Sequence, residues 1–457
     1  MHLLVRVGAA AARGVGYQTP ATAQHPPVAP ATWAITGARI EPVSAPAIAS
    51  GTVVIRDGRI AAVGANVPVP ADARVIDGAG LTVYPGFIAG YGSLGKTTAT
   101  AGGGAGGAAA QAARRPNAPN STYAIGLQPE VDAIAEIEIP AAGFTAPHGA
   151  GITAALTAPA SGVWRGQSAL IQLGGGPVAA MVVAGEVAQH AGFSRGGGGG
   201  FGGGGGGGYP GSLLGVIAQI RQQLLDAQHW RDLSAAYTRD PSRAARPPHD
   251  PSLEALQPVI NGTQPVIIQA NTKREILRAL SLSRELGFKV IIAGGREAWQ
   301  VADQLHAADA AVLLDIDFPR RTAPAGGRTA SSDDPPESMQ VLRDRVERPK
   351  SAGVLAAAGA RFAMISNGEF GEVVANLRRA VEGGLSRERA VRAVTLDAAQ
   401  LFGAADRLGS IAPGRLANLT IVSGDLFAEG GRVSQVFVGG ERYQIPAPAA
   451  PSAGRGR

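Results

Sequence analysis

Two carboxylates two residues apart, Asp315 and Asp317, close the apolar run Ala311-Val312-Leu313-Leu314. On an extended strand such a pair faces one side, where it could bind a hard cation or divide the roles of acid and base. The pair also reads as an exposed loop, because Arg320 and Arg321 follow closely and would neutralise it in water. Histidine, the usual proton shuttle and metal ligand, occurs only as His2, His25, His148, His190, His229, His249 and His306. No two are spaced i,i+2 or i,i+4, so none can share a strand or helix face as a metal pair does. His148, in Ala146-Pro147-His148-Gly149, is the one expected near a second strand with a view of a cavity; a surface or loop position is the simpler expectation.

Cysteine is absent, which excludes disulfides, thiolate-bound zinc, iron–sulfur clusters and a thiol nucleophile. Lys96 could offer an ammonium to an anion or point into solvent. Trp164 and Trp299 read as core, although either ring could stack on a ligand. Glu130, Glu136 and Glu138 read as a solvated face. The net charge of +6 and pI of 9.9 come from scattered arginines facing 35 acids, without a basic run or interleaved aromatics, so no nucleic-acid partner is expected. No apolar run is long enough to span a bilayer, and no membrane association is expected.

Several elements could position these residues. Trp33 to Ile40 and Gly51 to Val63 read as short strands, the second folded at Asp57-Gly58, a pair suited to the positive φ of a hairpin turn. With Arg74 to Ile76 they predict a small antiparallel unit. Leu81 to Ile88 has the unbroken apolar character of one strand buried on both faces. Strand and helix then alternate. Pro265 to Ala270 precedes Thr272-Lys273-Arg274-Glu275, a capping box that opens a helix to Gly287. Strands follow at Lys289 to Ala293, Ala311 to Asp315 and Arg361 to Ser366, with one last helix from Ser386 to Phe402. Strands return at Leu416 to Val422 and Val433 to Val438. The alternation predicts an α/β fold, a TIM-type (β/α)8 barrel, beside a small composite β-sandwich built from both chain ends.

The expected organisation is a leader or signal-like segment over 1–31, sandwich over 32–80 and 403–445, barrel over 81–402, and a disordered tail over 446–457. Glycine-rich or Pro/Ser-rich insertions fall near 97–120, 195–209 and 322–338, where composition cannot offset chain entropy by burial. None contains the G-x-x-x-x-G-K-[ST] pattern of a phosphate loop. Ala21-Thr22-Ala23 has the form of a signal-peptidase site, so a periplasmic or secreted location is expected, with a cytoplasmic one as the alternative.

Three stretches point to one family: Gly51-Thr52-Val53-Val54-Ile55-Arg56-Asp57-Gly58-Arg59-Ile60, then Val75-Ile76-Asp77-Gly78, then Pro85-Gly86-Phe87-Ile88. With Ala398-Ala399-Gln400-Leu401-Phe402-Gly403 and Leu408-Gly409-Ser410-Ile411-Ala412-Pro413-Gly414, the chain resembles the metal-dependent amidohydrolase superfamily, in its imidazolonepropionase-like branch. The resemblance implies a hydrolase of carbon–nitrogen bonds other than peptide bonds. It also implies one or two divalent metals such as zinc at the barrel mouth, held by His-x-His on the first strand, His on the fifth and sixth, and Asp on the eighth. Tyr91 and Ser93 stand at the first-strand positions, Gln269 at the fifth, Ala293 or Gly294 at the sixth and Asn367 at the eighth. A neutral phenol, a hydroxyl and two carboxamides are poor zinc ligands, and an amide cannot take up the catalytic proton.

The expectation is therefore a non-catalytic homologue without a bound metal or other cofactor. Tyr91, Ser93, Gln269, Asn367, Asp315 and Asp317 would line a ligand site instead. Its partners would be a small molecule, a second copy, or an active amidohydrolase that it helps to assemble. The alternative is an active hydrolase with a rearranged or metal-free site.

Overall fold

The computed structural model describes residues 31–92, 94, 126–139, 143–159, 162–193, 212–320, 337–366, 368 and 370–446. The insertions at 97–120 and 195–209, most of that at 322–338, the leader to residue 30 and the tail from 447 lie outside them, as do Ser93, Lys96 and Asn367. Of Tyr91 only the backbone is described.

The two chain ends share one eight-stranded sheet. From the N-terminal side come β1 (Trp33–Ile40), β2 (Ile48–Arg56), β3 (Arg59–Gly64), β4 (Arg74–Asp77) and β5 (Leu81–Pro85); from the C-terminal side come β16 (Leu419–Ser423), β17 (Arg432–Val438) and β18 (Glu441–Gln444). The order is β18-β17-β16-β5-β1-β2-β3, with β4 beside β1. Asp57 and Gly58 adopt φ of 51° and 73° in the β2–β3 turn, as the hairpin reading requires. The unit is not wholly antiparallel, since β1 pairs in parallel with both β4 and β5. Ile60 from one end of the sheet and Phe437 from the other meet in one core with Ile35, Val83 and Leu419, so the sheet folds over itself.

The expected single strand at Leu81–Ile88 is two strands. Gly86 breaks it: β5 stays in the composite sheet against β16, and β6 (Phe87–Gly92) starts the barrel. Next come β7 (Ile152–Thr157), β8 (Trp164–Gln167), β9 (Ala169–Gln172), β10 (Val182–Ala184) and β11 (Gln189–Gly192). They are followed by β12 (Val266–Ala270), β13 (Val290–Gly294), β14 (Ala311–Asp315) and β15 (Phe362–Ile365). β6 and β7 are parallel, and so are β11 to β15. Between these two sets runs a nearly continuous segment, β8–Ser168–β9, whose halves pair antiparallel with β11 and β7. The third position of the barrel is thus filled by a strand running backwards. Only six residues separate β7 from β8, too few for a crossover helix, so the chain turns straight back.

The barrel interior is a packed core of Ile88, Ala154, Leu170, Ile267, Ile291 and Leu313. The alternate residues Ile268, Ile292, Val312 and Met364 pack outward with helix residues such as Ile276 and Leu280. β6 approaches β15 at Gly90, where any Cβ would fall on the side chain of Ile365. The helix Lys273–Leu286 carries the expected capping box. The expected helix Ser386–Phe402 is two, Arg387–Val394 and Leu396–Leu401, parted at Thr395, whose φ and ψ of −127° and −91° break the spiral. Among the described residues no helix is long and apolar enough to cross a membrane.

Candidate functional site

Strand parity selects what reaches the barrel mouth. Ile267 and Leu313 face inward, so Gln269 at the end of β12 and Asp315 at the end of β14 face inward too, one layer nearer the C-terminal strand ends. Gly192, at the end of β11, shares the inward parity of Ala188.

Into the space beside Gly192 comes a residue that the sequence reading passed over. The register between β8 and β11 slips between His190↔Gly166 and Ala191↔Trp164, leaving Arg165 in a bulge that re-aims its side chain. Its guanidinium is buried, with Nη2 lying against the position that a Cβ on Gly192 would occupy. Nη2 donates to Gln269 Oε1 at 2.9 Å and Nε donates to the Gly162 carbonyl at 3.2 Å. A lone arginine inside Val163-Trp164-Arg165-Gly166 was the available signal.

The carboxylate pair is not the exposed loop of the simpler expectation. Asp315 is 5% exposed and pairs with Arg296 and Arg348, not with Arg320. Its Oδ2 lies 3.4 Å from Arg296 Nε and 3.6 Å from Arg348 Nη2, while Oδ1 accepts the Asp317 backbone N–H at 2.8 Å. The Ser366 hydroxyl donates to Asp317 Oδ1 at 2.8 Å, joining the loops after β14 and β15. Burial pushes the Asp315 carboxyl above the usual aspartate range, against the pull of that backbone N–H and of Arg348. Burial likewise pulls the Arg348 guanidinium below its ordinary value, although Asp315 opposes it. Arg348 also lies over the Phe318 ring, 5.8 Å from its centroid, and its Nε has no hydrogen-bond partner among the described residues. Arg320 pairs instead with Glu372 at 2.6 Å.

His148 is neither on the surface nor at the mouth. It sits in the short helix Thr145–Gly149 ahead of β7, so at the strand-start end of the barrel. It is buried, with Nε2 2.8 Å from the Leu173 carbonyl oxygen and its ring 4.4 Å from that of Tyr443 on β18. Glu130 is tied down and not merely solvated, since it accepts the Ser252 hydroxyl at 2.7 Å; Glu136 is half-buried and Glu138 exposed. Trp164 is wholly buried and Trp299 half-buried.

The described donors do not fit a divalent metal. At the fifth-strand position the amide oxygen of Gln269 already accepts from a cation, and at the sixth Ala293 and Gly294 bring no side-chain donor. No group of three His, Asp or Glu converges among the described residues. The mouth offers instead a fixed guanidinium, a carboxamide and two linked carboxylates, a set suited to hydrogen bonding with a polar ligand.

An inward-packed α/β barrel beside a sheet from both chain ends defines a protein class that carries its sites on the C-terminal strand ends. Comparison with known proteins narrows that class. The sequence model of the amidohydrolase family matches residues 329–443. An adenine deaminase of Moorella thermoacetica is 40% identical over 83 residues, a stretch covering 15% of this chain and only 13% of that protein's length. Among solved structures, an amidohydrolase from Thermotoga maritima MSB8 is 18% identical with a TM-score of 0.71, over 90% of this chain and 99% of the other. A prolidase complexed with N-methylphosphonate-L-proline is 18% identical with a TM-score of 0.53, over 91% and 100% of the two chains. A Xaa-Pro dipeptidase with bound methionine is 15% identical with a TM-score of 0.52, over 90% and 100%. At such identities the structural likeness carries the fold alone. The chain thus shares the fold of these structures, and its residues 329–443 are similar in sequence to the amidohydrolase family.

Proposed function

We propose that this protein is a non-catalytic amidohydrolase homologue whose barrel mouth binds a small polar molecule or docks a partner subunit. The observation that carries the reading is the Arg165–Gln269 hydrogen bond at 2.9 Å. The guanidinium takes up a lone pair at the position where the resemblance expects a metal ligand. It also fixes a positive charge there, which repels a divalent cation in a poorly solvated site. Tyr91, Ser93, Gln269, Asn367, Asp315 and Asp317 are proposed to line the ligand site, without a bound metal. The partner is proposed to be a second copy or a metal-loaded amidohydrolase, and the Ala21-Thr22-Ala23 pattern supports function outside the cytoplasm.

The test is elemental analysis of untagged protein from medium supplemented with zinc, iron, manganese and nickel. Metal below about a tenth per chain is expected, and near-stoichiometric metal overturns the reading. Capture from the native host, followed by metal analysis of whatever copurifies, identifies the partner.

One observation favours a second reading, an active hydrolase with a rearranged site. A buried carboxyl of raised pKa beside a second carboxylate has the form of an acid and base pair. Hydrolysis of an Xaa-Pro dipeptide or an N-acyl amino acid that disappears in Asp315→Asn would replace the non-catalytic reading.

A further inference from the structure

Away from the mouth, a buried phenol opens on a groove of about 1060 Å³ between the composite sheet and the barrel. Tyr84 is 6% exposed and lines this groove, and its hydroxyl has no hydrogen-bond partner among the described residues. The charged groups that act on it, Glu41, Asp425, Arg39 and Arg387, all line the groove as well, so the hydroxyl end of the ring faces the space. Burial, helped by Glu41 and Asp425, pushes the phenol up to about 12, so it keeps its proton and stays a donor at neutral pH. The carboxylates beside it are already engaged. Glu41 accepts from Arg39 Nε at 2.8 Å, and Asp425 accepts from Arg387 at 2.8 Å and from the Phe427 backbone N–H at 2.9 Å. A largely buried donor without an acceptor carries a cost that a ligand oxygen relieves.

The charges of the groove cancel. Arg39 is paired with Glu41 and Arg387 with Asp425. Arg392 pairs with Asp397, and Glu388 stands on the same helix. Arg389 also holds Asp397 and is turned onto the buried Phe362 ring, 4.6 Å from its centroid. Arginines and acids are thus equal in number, and a charged ligand would give up its hydration there without a free counter-charge.

Val43, Leu81 and Phe427 supply apolar surface, and Arg387 stacks on the Phe427 ring at 5.6 Å. Val43 is held at a φ of 68°, a left-handed conformation costly for a β-branched residue and sustained only where its surroundings over-determine it. The adjoining Pro42 carbonyl accepts the Ile411 backbone N–H at 3.2 Å, which pins the lip. The volume suits a drug-sized organic molecule, and clefts between domains are common sites for such ligands.

We propose that this groove binds a neutral organic molecule carrying a hydrogen-bond-accepting oxygen. The Tyr84 hydroxyl donates to that oxygen, and an apolar body lies against Val43, Leu81 and Phe427. The site is separate from the barrel mouth and does not rest on the reading given to it.

Titration calorimetry of the full chain with coumarin, a neutral bicyclic compound with a carbonyl oxygen, tests the proposal. Saturable binding of one per chain is expected, with coumarin-3-carboxylate, the same body bearing a negative charge, bound about tenfold more weakly. Tyr84→Phe removes only a hydroxyl that bonds nothing else in the described protein, so the thermal midpoint should be kept while coumarin binds about five- to tenfold more weakly. Gln269→Ala, at the mouth, should leave coumarin binding within about twofold. No saturable binding up to about 1 mM overturns the proposal, as does binding indifferent to Tyr84→Phe, or a carboxylate bound as tightly as coumarin. Loss of binding in Gln269→Ala with retention in Tyr84→Phe places the ligand at the mouth, which overturns the groove site and leaves the proposed function standing.

Discussion

Arg165 reaches across the barrel mouth to donate to Gln269 at 2.9 Å, and it fits there because Gly192 has no side chain. That contact ties the reversed strand β8 to β12, the fifth strand of the barrel. Gly192→Ala should push the guanidinium off its acceptor and lower stability by about 2 kcal/mol. In an Arg165→Met background the same substitution should cost much less, because the clash and the lost hydrogen bond belong to one interaction. Equal costs in urea denaturation of the two backgrounds would show that the residues are not coupled.

Closure of the barrel depends on Gly90. A Cβ there meets the branched side chain of Ile365, buried and packed inside the barrel. Gly90→Ala is expected to destabilise by about 2 to 3 kcal/mol through overpacking. Adding Ile365→Ala should recover part of this loss by opening the space. A double variant as unstable as the sum of the singles counts against a closure made at this contact.

The Asp315–Arg348 pair is buried on both sides, and burial is the largest influence on each partner, raising the acid and lowering the base. Breaking it is costly even though making it gains little. Arg348→Met should cost about 3 kcal/mol, while Arg348→Met with Asp315→Asn should return to within about 1 kcal/mol of the parent. The sign of the pH effect follows from the raised acid. Its contribution favours folding below the ordinary aspartate range and fades as pH climbs through the raised value, so Asp315→Asn should flatten that part of the stability curve.

His148 gives the opposite slope. Burial lowers its pKa below 6.5, outweighing the Leu173 carbonyl and Glu441, so the folded state favours the neutral ring. Its contribution is complete above about pH 6.5 and is lost as pH falls toward the lowered value, with a slope no steeper than about 1.4 kcal/mol per pH unit. Denaturant titrations at three pH values between about 5 and 7.5 should show the slope reduced in His148→Gln. An unchanged slope would mean that His148 does not titrate across this range.

The sequence by itself determined whatever depends on near neighbours. The Thr272–Glu275 capping box and the Asp57-Gly58 turn follow from hydrogen bonds and backbone preferences spanning a few residues. The stretches that carry the resemblance were legible for the same reason, since each is short and continuous. Only the tertiary structure decided the rest. Whether Leu81–Ile88 is one strand or two depends on β16, which pairs with β5 from the far end of the chain. That 164–172 runs backwards between β7 and β11 is set by partners on either side, and its apolar residues would read alike in either direction. Arg165 beside Gln269, and His148 beneath Tyr443, are contacts between residues more than a hundred positions apart. No local pattern encodes such pairs, because their energy comes from burial and charge that exist only once the whole chain has closed.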